Sequence, residues 1–182
     1  MELLASLRSG DHRLTKRMAA WDSAWVRQLL PPVEEAAEHT KLWWAAAVLM
    51  AAGGGWRGRR AAAAGVAAMA VAELLSNGVA KQLVERRRPP KEWVPHDDVE
   101  DRPDSSSFPS GHTAAAVAFT AAVARSWPWA AAVCAVPMAL VAVERVHSGA
   151  HYPSDVAAGA AIGLVAAALV RATPHLVVRH MG

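Results

Sequence analysis

PSGHTAAAVAFTAAVARSWPWAAAVCAVPMALVAVERVHSGAHYPSD, residues 109–155, decides how the chain folds. Two runs built mainly of Ala and Val, 112–127 and 130–146, are too long for strands and show no alternation with a period of two. They read as helices. Trp127-Pro128-Trp129 joins them, and Trp flanking an apolar helix marks a membrane–water interface. A polar cluster closes each far end, P109-S110-G111-H112 before the first run and R145-VHSGA-H151-YPS-D155 after the second. Two helices that cross and return bring both clusters to one side.

Working outward, residues 61–80 form another Ala-, Val- and Gly-rich span, ending at K81-QLVERR-R88-P89. Residues 156–170 form a further span, with Gly159 and Gly163 in the small-xxx-small pattern that lets helices approach closely. Residues 42–56 (LWWAAAVLMAAGGGW) are the shortest candidate, below the roughly 20 residues that cross a bilayer. A helix extended back through 34–41 would complete it. RGRR at 57–60 reads as a basic turn. Residues 14–30 read as an amphipathic helix, with Leu14, Met18, Trp21, Trp25 and Leu29 on one face and Pro31-Pro32 ending it. Such a helix suits either the membrane interface or a cap on the protein.

The expected architecture is therefore all-α: an integral-membrane helical bundle of about five transmembrane helices plus an N-terminal amphipathic interfacial helix. Residues 1–41 form the N-terminal amphipathic segment. Residues 42–178 form the membrane domain, interrupted by a proline-rich polar loop at 85–111. The loop's acidic residues Asp97, Asp98, Glu100, Asp101 and Asp104 lack the EF-hand pattern and read as a solvated segment.

Composition supports this. Of 182 residues, 53% are hydrophobic but only 6% aromatic, and eight of the aromatics are Trp beside two Phe and one Tyr. A water-soluble core of this size draws more on Leu, Ile and Phe. The mean hydropathy of +0.15 averages apolar spans with charge concentrated in 1–41 and 81–104. The net charge of +3 forms no continuous basic stripe with stacking aromatics, so nucleic acid is not an expected partner. The lone Cys134 excludes an intrachain disulfide and a multi-cysteine zinc site, and reads as a small buried apolar residue. Residues 1–20 lack the apolar core of a signal peptide.

Helix counting places the three polar clusters together, so Lys81, Arg88, Arg145, His112 and His151 converge. Three cations and two histidines suit a multiply charged oxyanion, which Arg can grip in bidentate fashion. Ser110-Gly111 before a helix presents backbone N–H groups to an anion. Two histidines in one pocket allow a nucleophile and a general acid. If YPSD begins the last helix, Asp155 can reach back to an imidazole nitrogen of His151.

These clusters resemble the signature of the type 2 phosphatidic acid phosphatase superfamily: Lys-x6-Arg-Pro, Pro-Ser-Gly-His and Ser-Arg-x5-His-x3-Asp. Lys81, Arg88 and Pro89 match the first; Pro109, Ser110, Gly111 and His112 the second; Arg145, His151 and Asp155 the third. The resemblance implies His151 as nucleophile, Asp155 as its orienting partner and His112 as the acid at the leaving oxygen. It implies Lys81, Arg88, Ser110, Gly111 and Arg145 as phosphate ligands, with no metal and no cofactor. Glu144 stands where the family has Ser, and a carboxylate there either turns away or pairs with Arg145.

The implied activity is hydrolysis of a lipid phosphate monoester or pyrophosphate through a phosphohistidine. Phosphatidylglycerophosphate, phosphatidate and polyprenyl phosphates or pyrophosphates all remain candidates. A vanadate-holding relative of the same fold and a non-enzymatic lipid-binding protein with a degenerate site are the alternatives. The expected partners are the lipid substrate and the bilayer, with homo-oligomerisation left open. The expected setting is multi-pass in a bacterial cytoplasmic membrane with the site facing outward. His12, His39, His96, His147, His175 and His180 match no motif, and Arg86 and Arg87 are expected to face lipid headgroups.

Overall fold

Ala-rich segments have little side-chain bulk to bury, so these helices gain contact by bringing their backbones close. The computed structural model describes residues 2–95 and 105–180, apart from the side chains of 2–5, 7 and 174–180. The acidic cluster at 97–104 and His96 lie outside the described residues, as do the side chains of His175 and His180. All regular structure in the described residues is helical: α1 (Glu2–Ala19), α2 (Ala24–Ala37), α3 (Lys41–Gly53), α4 (Gly55–Glu73), α5 (Lys81–Leu83), α6 (Gly111–Ser126), α7 (Pro128–His147) and α8 (Pro153–His180). A π-helical stretch, Leu74–Ala80, joins α4 to α5.

Helix α6 is the axis of the bundle. It packs against α4, α7 and α8, and Thr113, Ala114, Ala115, Ala116, Ala118, Phe119, Thr120, Ala122 and Val123 are all buried. Glycines set the spacing of its neighbours. A Cβ at Gly163 would lie 2.6 Å from the Ala114 carbonyl oxygen, and one at Gly65 2.8 Å from the Phe119 ring. Phe119 meets Trp43 of α3 at a ring-centroid distance of 5.5 Å, and Cys134 joins the same core.

Among the described residues, three stretches are long and apolar enough to cross a membrane: Gly55–Leu83, Pro128–His147 and Pro153–Thr173. Helix α6 has 16 residues and α3 has 13, which at 1.5 Å per residue is about 24 Å and about 20 Å against a hydrocarbon thickness of about 30 Å. Large apolar side chains face outward along the bundle, among them Leu49, Trp56, Trp129, Val133, Leu164 and Leu169.

The structure corrects the sequence reading in four places. The helix expected at 14–30 is two helices, because the chain turns extended at Ser23 (φ −121, ψ 156); Asp and Ser side chains compete with helical backbone bonding and favour such breaks. Pro31 and Pro32 lie inside α2 instead of ending it. The carbonyls of Arg27 and Gln28, which lose their amide partners, belong to exposed residues, where water can reach them. Residues 34–41 do not extend α3, since His39 (φ 49) and Thr40 (φ 58) are left-handed and turn the chain. RGRR lies in the first turns of α4; the turn itself is Gly54-Gly55, with Gly55 at φ 56. A Cβ at Gly58 would fall 2.0 Å from the Met50 carbonyl, so α3 and α4 form a hairpin that larger residues would spread.

At the N-terminus, Asp11, Thr15 and Ala19 form the buried stripe of α1, while Leu14, Trp21, Trp25 and Leu29 remain roughly half exposed. The inner faces of α1 and α2 therefore cap the protein, and their expected apolar face is left outward.

Candidate active site

The first polar cluster follows the π-helical stretch. A π-turn adds a residue to the helical register and recurs at functional positions. Here it carries Asn77, whose amide group packs against Gly111; a Cβ at Gly111 would lie 2.9 Å from Asn77 Oδ1. The chain then passes through Arg86–Arg88 and runs beside residues 105–108. Ser107 N donates to the Arg86 carbonyl at 2.9 Å, Arg86 N to Ser106 Oγ at 3.1 Å, and Ser106 Oγ to the Val84 carbonyl at 2.9 Å. These bonds fix both ends of the polar loop at the bundle.

The second cluster opens α6. Ser110 is its N-cap, and Ser110 Oγ accepts from Thr113 N at 3.4 Å. The third closes α7 and opens α8. His151 N donates to the Arg145 carbonyl at 2.9 Å, which folds the 148–152 turn back onto the helix end. Tyr152 N donates to Asp155 Oδ2 at 2.8 Å, a first-turn carboxylate reaching back to cap its own helix.

A cleft of about 390 Å³ lies between these elements, lined by Lys81, Arg88, Gly111, His112, Arg145 and His151, together with Asn77, Glu73, Ala150 and the Glu38–Thr40 turn. Six of the eight predicted residues thus meet at one cavity. Ser110 and Asp155 are fully buried behind its wall. The Ser110 hydroxyl is engaged in the cap, so this residue aims the α6 N-terminus and does not itself face the cleft.

His151 is 3% exposed. Its Nδ1 lies 2.6 Å from the Ser107 carbonyl oxygen. A carbonyl only accepts, so Nδ1 carries the hydrogen and Nε2 keeps its lone pair. The expected hydrogen bond from His151 to Asp155 is replaced by this one: Asp155 Oδ2 stands 4.0 Å from Nδ1, an electrostatic contact. Asp155 instead binds Tyr152 N and Arg86 Nη1, the latter at 2.5 Å. Burial, with the positive charge of Arg88, holds the His151 imidazole well below its ordinary pKa, against the opposing effect of the Ser107 bond.

The cations are placed by partners. Arg88 Nη1 donates to the Ala150 carbonyl at 2.8 Å. Arg145 Nε pairs with Glu144, and Arg145 Nη2 with Glu34 Oε1 at 2.6 Å. Of the two options for Glu144, pairing with Arg145 is the one the fold adopts. Glu144 is 2% exposed, so its charge is tolerable only because Arg145 adjoins it.

Sequence reasoning missed Arg86. It turns inward and joins Asp155 to Asp11 of α1 (Nη2 to Oδ2, 2.8 Å), with its guanidinium 4.1 Å from the Tyr152 ring centroid. Asp11 also accepts from Ser154 N at 3.0 Å and Ser154 Oγ at 2.5 Å. Burial alone would raise the Asp11 carboxyl, but Arg86 and Ser154 hold it below its usual value. Only the one-residue offset from its neighbours in VERRRP distinguishes Arg86 in the sequence. His147, which matches no motif, lines a second cleft with Trp21, Glu34 and Glu144. Among the described residues no group of three or more His, Cys, Asp or Glu is arranged to hold a metal.

The family model described as PAP2 superfamily matches residues 61–179. Over 103 residues the chain is 36% identical to the decaprenylphosphoryl-5-phosphoribose phosphatase of Mycobacterium tuberculosis, covering 57% of this chain. The chain spans about half the length of that relative, 53%. Two solved structures share the fold. The transmembrane PAP2 type phosphatidylglycerolphosphate phosphatase from Bacillus subtilis superimposes with a TM-score of 0.70 at 21% identity, covering 93% of this chain and 87% of that one. Aquifex aeolicus LpxE gives a TM-score of 0.69 at 20% identity, covering 87% and 92%.

Proposed function

The chain belongs to the PAP2 superfamily, and from that premise we propose that it is a membrane lipid phosphatase working through a phosphohistidine at His151. The observation that carries this reading is the convergence of Lys81, Arg88, Arg145, the α6 N-terminus and two histidines on one cleft. Cations and N–H groups arranged in advance stabilise the charge that builds on the phosphoryl oxygens in transfer.

In the first step, Nε2 of His151 attacks phosphorus and the bond from phosphorus to the lipid oxygen breaks. His112 gives its proton to that oxygen, which leaves as a lipid alcohol. In the second step, a water gives a proton to His112 and attacks phosphorus; the N–P bond breaks and inorganic phosphate departs. Asp155, 4.0 Å from Nδ1, stabilises the positive charge that His151 carries once phosphorylated. No step draws on a metal. That every catalytic position of the family is filled weighs against a degenerate, non-enzymatic site.

The substrate in this reading is a lipid whose phosphate reaches the cleft from the bilayer. Phosphatidylglycerophosphate, phosphatidate and polyprenyl phosphates all satisfy that description. The sequence relationship to a decaprenylphosphoryl-5-phosphoribose phosphatase makes a polyprenylphosphoryl pentose phosphate the first to test. Helix α6 acts as a fourth span and α3 as a short fifth element of a hairpin, with α1 and α2 at the interface. Arg57, Arg59 and Arg60 lie at the end away from the cleft, and the tendency of cations to remain cytoplasmic directs the cleft outward.

Phosphate release by purified protein in detergent with EDTA tests the reading, across those lipids and with His151→Ala beside wild type. The proposal expects EDTA-resistant release from at least one lipid and a loss of about 10³-fold or more in the variant. Near-wild-type release by His151→Ala would overturn it.

A further inference from the structure

Acidic residues are missing from long stretches of this chain. Segments 53–72, 113–143 and 156–182 contain no Asp or Glu at all. The bundle end opposite the cleft therefore carries arginines with no carboxylate in its own segments to balance them. From His112, which lines the cleft, to Arg125, near the end of α6, is thirteen residues, or about 20 Å along the helix.

Three of these arginines share a crevice. Arg60 from α4, Arg125 from α6 and Arg171 from α8 line a cavity of about 220 Å³, the volume of about seven water molecules. Its inner surface is Ala122 and Ala167, both buried, beside Ser126. Small residues at these positions leave the space open. Cations placed only to orient the protein in the membrane need no common cavity, and these come from three separate helices.

We propose that this crevice binds an anionic phospholipid of the leaflet opposite the active site. The forked guanidiniums would hold the headgroup phosphate, and the acyl chains would lie along exposed Leu164 and Leu169 of α8. Basic pockets between membrane helices commonly serve this purpose. A phosphate held here joins α4 and α6, which line the catalytic cleft at Glu73 and His112, to α8, whose Asp155 is buried behind it, so the lipid braces the bundle. The site is independent of the phosphatase reading, and either can fail alone.

The test is native mass spectrometry of the full-length protein in neutral detergent, titrated with dioleoylphosphatidylglycerol, dioleoylphosphatidylcholine or inorganic phosphate. Wild type should retain phosphatidylglycerol in preference to phosphatidylcholine, and inorganic phosphate should not displace it. Each Arg→Gln substitution should weaken binding about fivefold, and R60Q/R125Q/R171Q about 100-fold. R57Q/R59Q, which removes charge at the same end outside the crevice, should bind as wild type. If the triple variant does not fold, R125Q alone gives the fivefold reading. Equal retention of phosphatidylglycerol by wild type and crevice variants overturns the proposal, as does equal binding of the two lipids. An equal loss in R57Q/R59Q would reduce the effect to general surface charge, and displacement by phosphate would make the crevice a free-anion site; both also overturn it.

Discussion

His151 is held in one tautomer by a backbone carbonyl, and its burial beside Arg88 governs its behaviour with pH. Burial and Arg88 keep its pKa well below the ordinary 6.5, so the neutral, nucleophilic imidazole persists as pH falls through 6.5. The acid limb of kcat/KM, which reports the free enzyme, is expected below pH 6.5 for the preferred lipid. An acid limb at or above 6.5 would mean that the imidazole is not shielded in this way. The same depression has a cost to the fold. The unfolded chain takes up a proton near 6.5 while the folded site resists it, so this group makes the protein less stable as pH drops below that value. The motif histidines, Lys81, Arg88 and Arg145 were legible in the sequence because counting the helices brings their three polar clusters to one side of the bundle. Ser107 was not, since its carbonyl acts through the backbone and leaves no trace in residue type. Nor was Asp11, which reaches the site from a position 143 residues before Ser154.

Among the elements, the pairing of α6 with α8 matters most to the site. A Cβ at Gly159 would fall 2.4 Å from the Ser110 carbonyl oxygen, and Ser110 is the N-cap that aims the α6 N-terminus at the cleft. Gly159→Ala must therefore push apart two backbones. We expect a loss of about 1–3 kcal/mol in stability and a fall in kcat/KM of about 10-fold or more from misplacing Gly111 and His112. Thermal unfolding and phosphate release on one preparation would check this, and an unchanged kcat/KM would show that the α6 N-terminus does not set the geometry. The small-xxx-small pattern made this contact readable in advance. The N-terminal region was harder to read. Pro31-Pro32 normally ends a helix, but an exposed carbonyl can be satisfied without its amide, so α2 continues. The length of α3 was also hidden, because left-handed His39 and Thr40 are not residue types that announce a turn.

For the molecule as a whole, the gross plan was in the sequence: Ala-rich helices, Trp at their ends and the three motif clusters gathered at one side. The assembly of α1 onto that plan was not, because it rests on contacts such as Asp11–Arg86–Asp155 and Asp11–Ser154, between residues no local pattern connects. These contacts make the N-terminal helix part of the wall behind His151. Transfer of phosphate through His151 is the step on which the proposed mechanism depends. It is tested most directly by quenching turnover of a lipid labelled with radioactive phosphorus in its phosphate and mapping the label on the protein. The label is expected on His151, stable to alkali, lost in acid and absent from His151→Ala. Full turnover with no label on any histidine, or with the label undiminished in His151→Ala, would contradict it.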